Sequence, residues 1–129
     1  MGKQIHSVME KAIYVVELND TVEHVEEVLK KHHLSCVPVV DADGVCFGVI
    51  SASDLVYFHS INKKSNVERA WEICSRPIIE ISSEISIVEA AEIMVENKIH
   101  HLVVTENKLI VGIVSTIDLV RTCFLEIEK

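Results

Sequence analysis

The chain has 129 residues, 49% of them hydrophobic, and a formal charge of −8, so one compact unit or two small subdomains can form a core. The acidity excludes a general attraction for nucleic acid or anionic membranes, and any phosphate ligand must be held by local donors. No apolar run is long enough to span a membrane, and the opening MGKQIHSVMEK has no secretory core, so a soluble cytoplasmic protein is expected.

In chain order, a short β-rich segment comes first, Ile13–Val16. A helix follows, opened by Asp20 with Glu23 three residues on, and Val22, Val25, Val28 and Leu29 keep helical period. Two strands, Val37–Val40 and Val45–Ile50, flank the turn Asp41-Ala42-Asp43-Gly44. They are β-branched and almost continuously apolar, which predicts burial on both faces. A short helix then opens near Asp54.

The polar stretch Asn62-Lys63-Lys64-Ser65 reads as a joint. Beyond it, Asn66 can cap a short helix over residues 66–74 that presents Val67, Ala70, Trp71 and Cys74 on one side. This linker helix is expected to pack on the second half, anchored by Trp71.

The pattern then starts again. Ile78–Ile81 is β-rich, Ser86 with Glu89 makes a capping box, and Ile87, Ala90, Ala91 and Met94 hold the helical spacing. Leu102–Thr105 and Leu109–Val114 are the paired strands, and a last helix opens near Asp118. Gly48-Val49-Ile50-Ser51 with Asp54-Leu55-Val56 returns as Gly112-Ile113-Val114-Ser115 with Asp118-Leu119-Val120, an offset of 64. Upstream the offset is 65, and the change falls in the Asp41–Gly44 turn, where a duplicated unit tolerates it. The fold class is therefore α+β, with two β-α-β-β-α repeats at 1–62 and 63–129.

The chemistry-bearing positions are the two strand-to-helix junctions, Ser51-Ala52-Ser53-Asp54 and Ser115-Thr116-Ile117-Asp118. Unpaired N–H groups and the helix dipole favour an anion there, a serine hydroxyl can donate to a phosphate, and a carboxylate can accept from two ribose hydroxyls. The same residues also serve as helix caps with no ligand at all. Both readings stand at this point.

Cys36, Cys46, Cys74 and Cys123 form no CxxC and sit among apolar neighbours, as small hydrophobes do in a reducing compartment. The seven histidines include His32-His33 and His100-His101 but no HxxxH or HExxH spacing, so no metal site is expected. GxSxG, Walker and GxGxxG patterns are absent, and no enzyme is expected.

GVISASDLV and GIVSTIDLV resemble the glycine–hydrophobic–hydrophobic–Ser/Thr–x–x–Asp signature of the CBS domain, and CVPVVDADG resembles that family's strand and turn. SVMEKAIYVVELNDTV and SRPIIEISSEISI resemble its repeat openings, so the resemblance runs from about Ser7 to Phe124. It implies a pseudo-twofold CBS pair in which two three-stranded sheets pack together. Two clefts between the repeats would take AMP, ADP, ATP or S-adenosylmethionine. By the family's pattern, one cleft would combine Ser51 and Asp54 with Ile78 and Ile79, and the other Ser115 and Asp118 with Ile13 and Tyr14. His100 and His101 match a phosphate-reaching pair found in some members and would serve the Asp54 cleft.

The sequence departs from the pattern in three ways: Val103 stands for the usual proline, Ser51 and Ser115 for threonine, and His101 for arginine. The Asp54 cleft is the one expected to bind. The resemblance also implies a homodimer and a regulatory, energy-sensing role toward a partner protein the sequence does not name. The alternative is a dimerisation and interaction scaffold without a nucleotide.

Overall fold

The computed structural model describes residues 3–11, 13–61, 63–76 and 78–125. Two three-stranded sheets with flanking helices make an α+β protein. In the first sheet β1 (Val16–Glu17) runs parallel to β2 (Cys36–Val40), which pairs antiparallel with β3 (Cys46–Ser51). In the second, β4 (Glu80–Ile81), β5 (His101–Glu106) and β6 (Leu109–Ser115) repeat the order and the senses. Parallel neighbours need a crossover, which α1 (Val22–His32) and α4 (Ile87–Asn97) supply. The closing helices are α2 (Ala52–Ser60) and α5 (Thr116–Val120), the latter continuing into a wider turn at Arg121–Leu125. A single-turn helix, α3 (Ala70–Ile73), precedes β4. Among the described residues no helix is long and apolar enough to cross a membrane.

Local chemistry explains most boundaries. β2 is buried along its whole length, as its unbroken apolar run requires, whereas β3 alternates. The opening strands are shorter than the sequence predicts. Tyr14 and Val15 are 42% and 41% exposed and stand outside the ladder, which starts at Val16. The first helix is capped by Thr21, whose Oγ1 accepts from the His24 N–H at 3.1 Å, and not by Asp20. The Asp20 carboxylate instead turns back to accept from the Glu17 N–H at 2.7 Å. Ser86 caps α4 as predicted, accepting from the Glu89 N–H at 3.0 Å. The two caps are therefore equivalent positions of the repeat.

The chain divides into two compact units. Tyr14–Ile78 forms one, and the segment before Tyr14 joins the residues from Ile79 onward in the other. In the first unit Ala70 is fully buried with Val16, Val25, Leu29, Val37, Val39 and Ile50. Its N–H donates to the Asp20 carbonyl at 2.8 Å, and the Ser75 N–H donates to the Val49 carbonyl at 2.8 Å.

This corrects the expectation for the linker. No helix spans 66–74, only Ala70–Ile73 is helical, and it packs on the first repeat. Trp71 is 49% exposed and stands outside the buried cluster; small Ala70 fills the slot. The cause is the open edge of β3, whose Val49 backbone groups need partners and find them at Ser75.

The second unit solves the same problem with the start of the chain. Ile5 is fully buried with Ile81, Ala90, Met94, Leu102, Val104, Val114 and Leu119. The Glu10 N–H donates to the Ile113 carbonyl on the open edge of β6 at 2.8 Å. Ile5 and Glu10 stand 65 positions before Ala70 and Ser75, so each repeat's lead-in docks on the other repeat's sheet edge.

Candidate functional site

The two GxxSxxD junctions share a backbone plan. β3 delivers Ser51 in extended conformation, and the chain turns into α2 at Ala52, whose N–H donates to the Ser35 carbonyl at 3.2 Å. β6 delivers Ser115 likewise, and the Thr116 N–H donates to the His100 carbonyl at 2.9 Å. In each, the carboxylate three residues on reaches back: the Ser51 N–H donates to Asp54 Oδ2 and the Ser115 N–H to Asp118 Oδ2, both at 2.9 Å.

Beyond that the junctions differ. Ser115 Oγ accepts from the Asp118 N–H at 3.1 Å, a completed reciprocal cap, and Asp118 Oδ1 faces Arg121 Nη1 at 3.6 Å. Ser51 with Asp54 also forms a capping box, and here Ser51 Oγ donates to Asp54 Oδ2 at 3.2 Å and lies 2.9 Å from Ser53 Oγ. Asp54 Oδ1 accepts from Ser75 Oγ at 2.9 Å. Asp54 thus accepts from two serine hydroxyls, one of them from the segment leading into β4. Ser75 was not singled out from sequence; its only signal was its place three residues before Ile78.

The other expected site residues distribute as follows. Ser51, Asp54, Tyr14 and Ile78 lie in the first compact unit. Ser115, Asp118, Ile13, Ile79, His100 and His101 lie in the second. Within the first unit, Tyr14 is stacked on the His32 ring, centroids 3.6 Å apart and planes 15° off parallel. Within the second, His100 is exposed and His101 is half-buried, opposite Ser115 in the ladder. Burial holds the His101 imidazole below its ordinary value, His100 adds to this, and Asp118 opposes it.

Beside the Asp54 junction, Arg76 lies over the Phe47 ring at 3.7 Å from its centroid. The buried Cys36 thiol is pushed up to about 12, first by desolvation and then by the charge of Asp54. Burial also raises Cys74, against the nearby Arg76. Such thiols are poor nucleophiles. Among the described residues no three His, Cys, Asp or Glu side chains converge as a metal-binding group.

Comparison with known proteins decides the family. The family model for the CBS domain matches twice, over residues 5–60 and 70–124. The chain belongs to the CBS domain family.

An uncharacterized 17.7 kDa protein of Acidianus ambivalens is 27% identical over 123 residues, spanning 94% of this chain and 73% of that protein. Among solved structures, the CBS domain pair of protein MJ0100 in complex with 5′-methylthioadenosine and S-adenosyl-L-methionine superposes with a TM-score of 0.87. It is 23% identical, and the match covers 95% of this chain and 97% of that one. CBSX2 in complex with AMP gives a TM-score of 0.83 at 21% identity, covering 99% and 100%. At these identities the structural likeness establishes the fold: a tandem CBS pair of two small three-stranded sheets.

Proposed function

We propose that the chain is a regulatory module that binds an adenosine-containing nucleotide, AMP, ADP, ATP or S-adenosylmethionine, at the Asp54 junction and signals to a partner protein. One observation carries this reading: the Asp54 carboxylate accepts hydroxyls from two segments, Ser51 on one and Ser75 on the other. A carboxylate in that setting can accept from ribose hydroxyls, while the N-terminus of nine-residue α2 favours the phosphate. Ile78, expected to cover the base, lies three residues beyond Ser75 in the same unit. Two of the similar structures hold AMP or S-adenosylmethionine, which supports the ligand class. Both junctions carry a capping box, but at the other one Asp118 Oδ1 faces the Arg121 guanidinium where Asp54 Oδ1 meets a hydroxyl. Calorimetric titration of AMP, ATP and S-adenosylmethionine into wild type and Asp54→Asn tests the proposal. Saturable heat lost in the variant is the expected result, and no heat with any of the three at about millimolar ligand refutes it.

A second reading, a homodimerising scaffold without nucleotide, is favoured by the apolar residues that α2 and α5 leave exposed. Val56 and Tyr57 are 70% and 67% exposed, and Ile117 is 62% exposed. Sedimentation with and without AMP separates the two, because a scaffold assembles identically in both.

A further inference from the structure

We infer that the Ser75 hydroxyl is a built-in competitor for Asp54 and sets how tightly this junction holds a ribose. The inference rests on the nucleotide reading of the Asp54 junction and concerns how that site is regulated from within.

The two oxygens of the carboxylate do different work. Oδ2 accepts from the Ser51 N–H at 2.9 Å and from Ser51 Oγ at 3.2 Å. A ligand taking Oδ2 would undo the first turn of α2. Oδ1 accepts a hydroxyl from Ser75 at 2.9 Å, a residue 21 positions away that is exposed. An O–H donor on a carboxylate is the same chemistry a ribose hydroxyl offers, so Ser75 takes one of the acceptor positions of the oxygen a diol would use and competes with it there.

The backbone of Ser75 is held independently of this bond. Its N–H donates to the Val49 carbonyl at 2.8 Å, and its carbonyl accepts from the Val49 N–H at 3.3 Å. The hydroxyl can therefore rotate off Asp54 while the segment stays docked on β3. That makes it a yielding partner rather than a structural tie.

The second junction lacks this device. The residue that pairs with Ile113 as Ser75 pairs with Val49 is Glu10, whose carboxylate donates nothing when ionised. Asp118 Oδ1 faces the Arg121 guanidinium instead. A ligand there would have to part an ion pair; at Asp54 it has only to turn one hydroxyl.

The test is equilibrium titration of AMP into the full chain carrying Ser75→Ala, Ser75→Thr, Asp54→Ala or Ser75→Ala with Asp54→Ala. Ser75→Ala is expected to bind AMP about three- to tenfold more tightly, the range set by one net hydrogen bond no longer contested. Ser75→Thr should bind like wild type, and the gain should vanish in the Asp54→Ala background. A 2′,3′-dideoxy analogue of AMP, which has no diol, should show no gain. A merely structural serine would give the opposite sign, weaker binding of both ligands. If wild type binds AMP and Ser75→Ala binds equally or less well, the competitor idea falls and the nucleotide reading stands. If neither protein binds AMP or S-adenosylmethionine, the nucleotide reading falls and takes this inference with it.

Discussion

Gly48→Ala is the sharpest probe of how the linker is docked. Gly48 has no positive φ, so an alanine there meets no backbone objection and the effect is purely steric. Its Cβ would lie 2.7 Å from Cys74 Sγ, 2.9 Å from the Ser75 carbonyl oxygen and 3.1 Å from Arg76 Cγ. Restoring ordinary contact, ~3.5 Å, moves the Cys74–Arg76 segment about 0.6–0.8 Å off β3. Overpacking of this kind costs about 1–3 kcal/mol. The two Val49–Ser75 backbone bonds weaken with it, each worth about 0.5–1.5 kcal/mol when intact. A loss of about 2–4 kcal/mol is expected, read as a lower urea midpoint by far-UV circular dichroism with an unchanged slope. Gly112→Ala is the internal control. Its nearest neighbours are the Met9 side chain, with backbone no closer than the Glu10 carbonyl at 3.2 Å, so a flexible thioether gives way and about 1 kcal/mol is expected. Adding Cys74→Ala to Gly48→Ala should recover about 1 kcal/mol by removing the closest atom. A Gly48→Ala loss below about 0.5 kcal/mol, or one no larger than that of Gly112→Ala, would refute the close docking of 74–76 on β3.

Three further outcomes are expected. Ile5→Ala should destabilise by about 2–5 kcal/mol in the same assay, because a fully buried side chain near the start of the chain plugs the second core; a change within about 0.5 kcal/mol would show that the segment is not docked. His101 has its imidazole held low by burial, so on acidification the unfolded chain binds that proton first, and stability falls as pH drops below about 6.5 toward the lower folded value. His101→Gln should therefore lose less stability than wild type between about pH 7.5 and about pH 5.5 in urea melts, and equal losses would refute this. Cys123 is exposed while Cys36 is buried with its thiol pushed up to about 12, so a thiol reagent at about pH 8 should label Cys123 quickly and Cys36 only on unfolding, read by peptide mass.

The β-α-β-β-α order, the duplication and the two GxxSxxD corners were legible because they rest on local periodicity and on residues three apart. The same locality explains the misses. Asp20 and Thr21 are both competent caps, and only the bond Asp20 makes to Glu17 leaves the role to Thr21. Trp71 looks like an anchor by size, yet the slot beneath the lead-in admits Ala70. Ser51 and Ser115 are identical in motif and differ in use, because Asp54 meets Ser75 and Asp118 meets Arg121.

What the sequence determined alone is the repeated unit, since hydrophobic period and capping chemistry act within a few residues. Which sheet edge each lead-in covers was decided only in three dimensions. The open edges of β3 and β6 both present unpaired backbone groups, and a chain read in one dimension does not say which of two matching edges a segment will reach. That choice brought Ser75 to Asp54 and so made one of two equivalent corners into the candidate site.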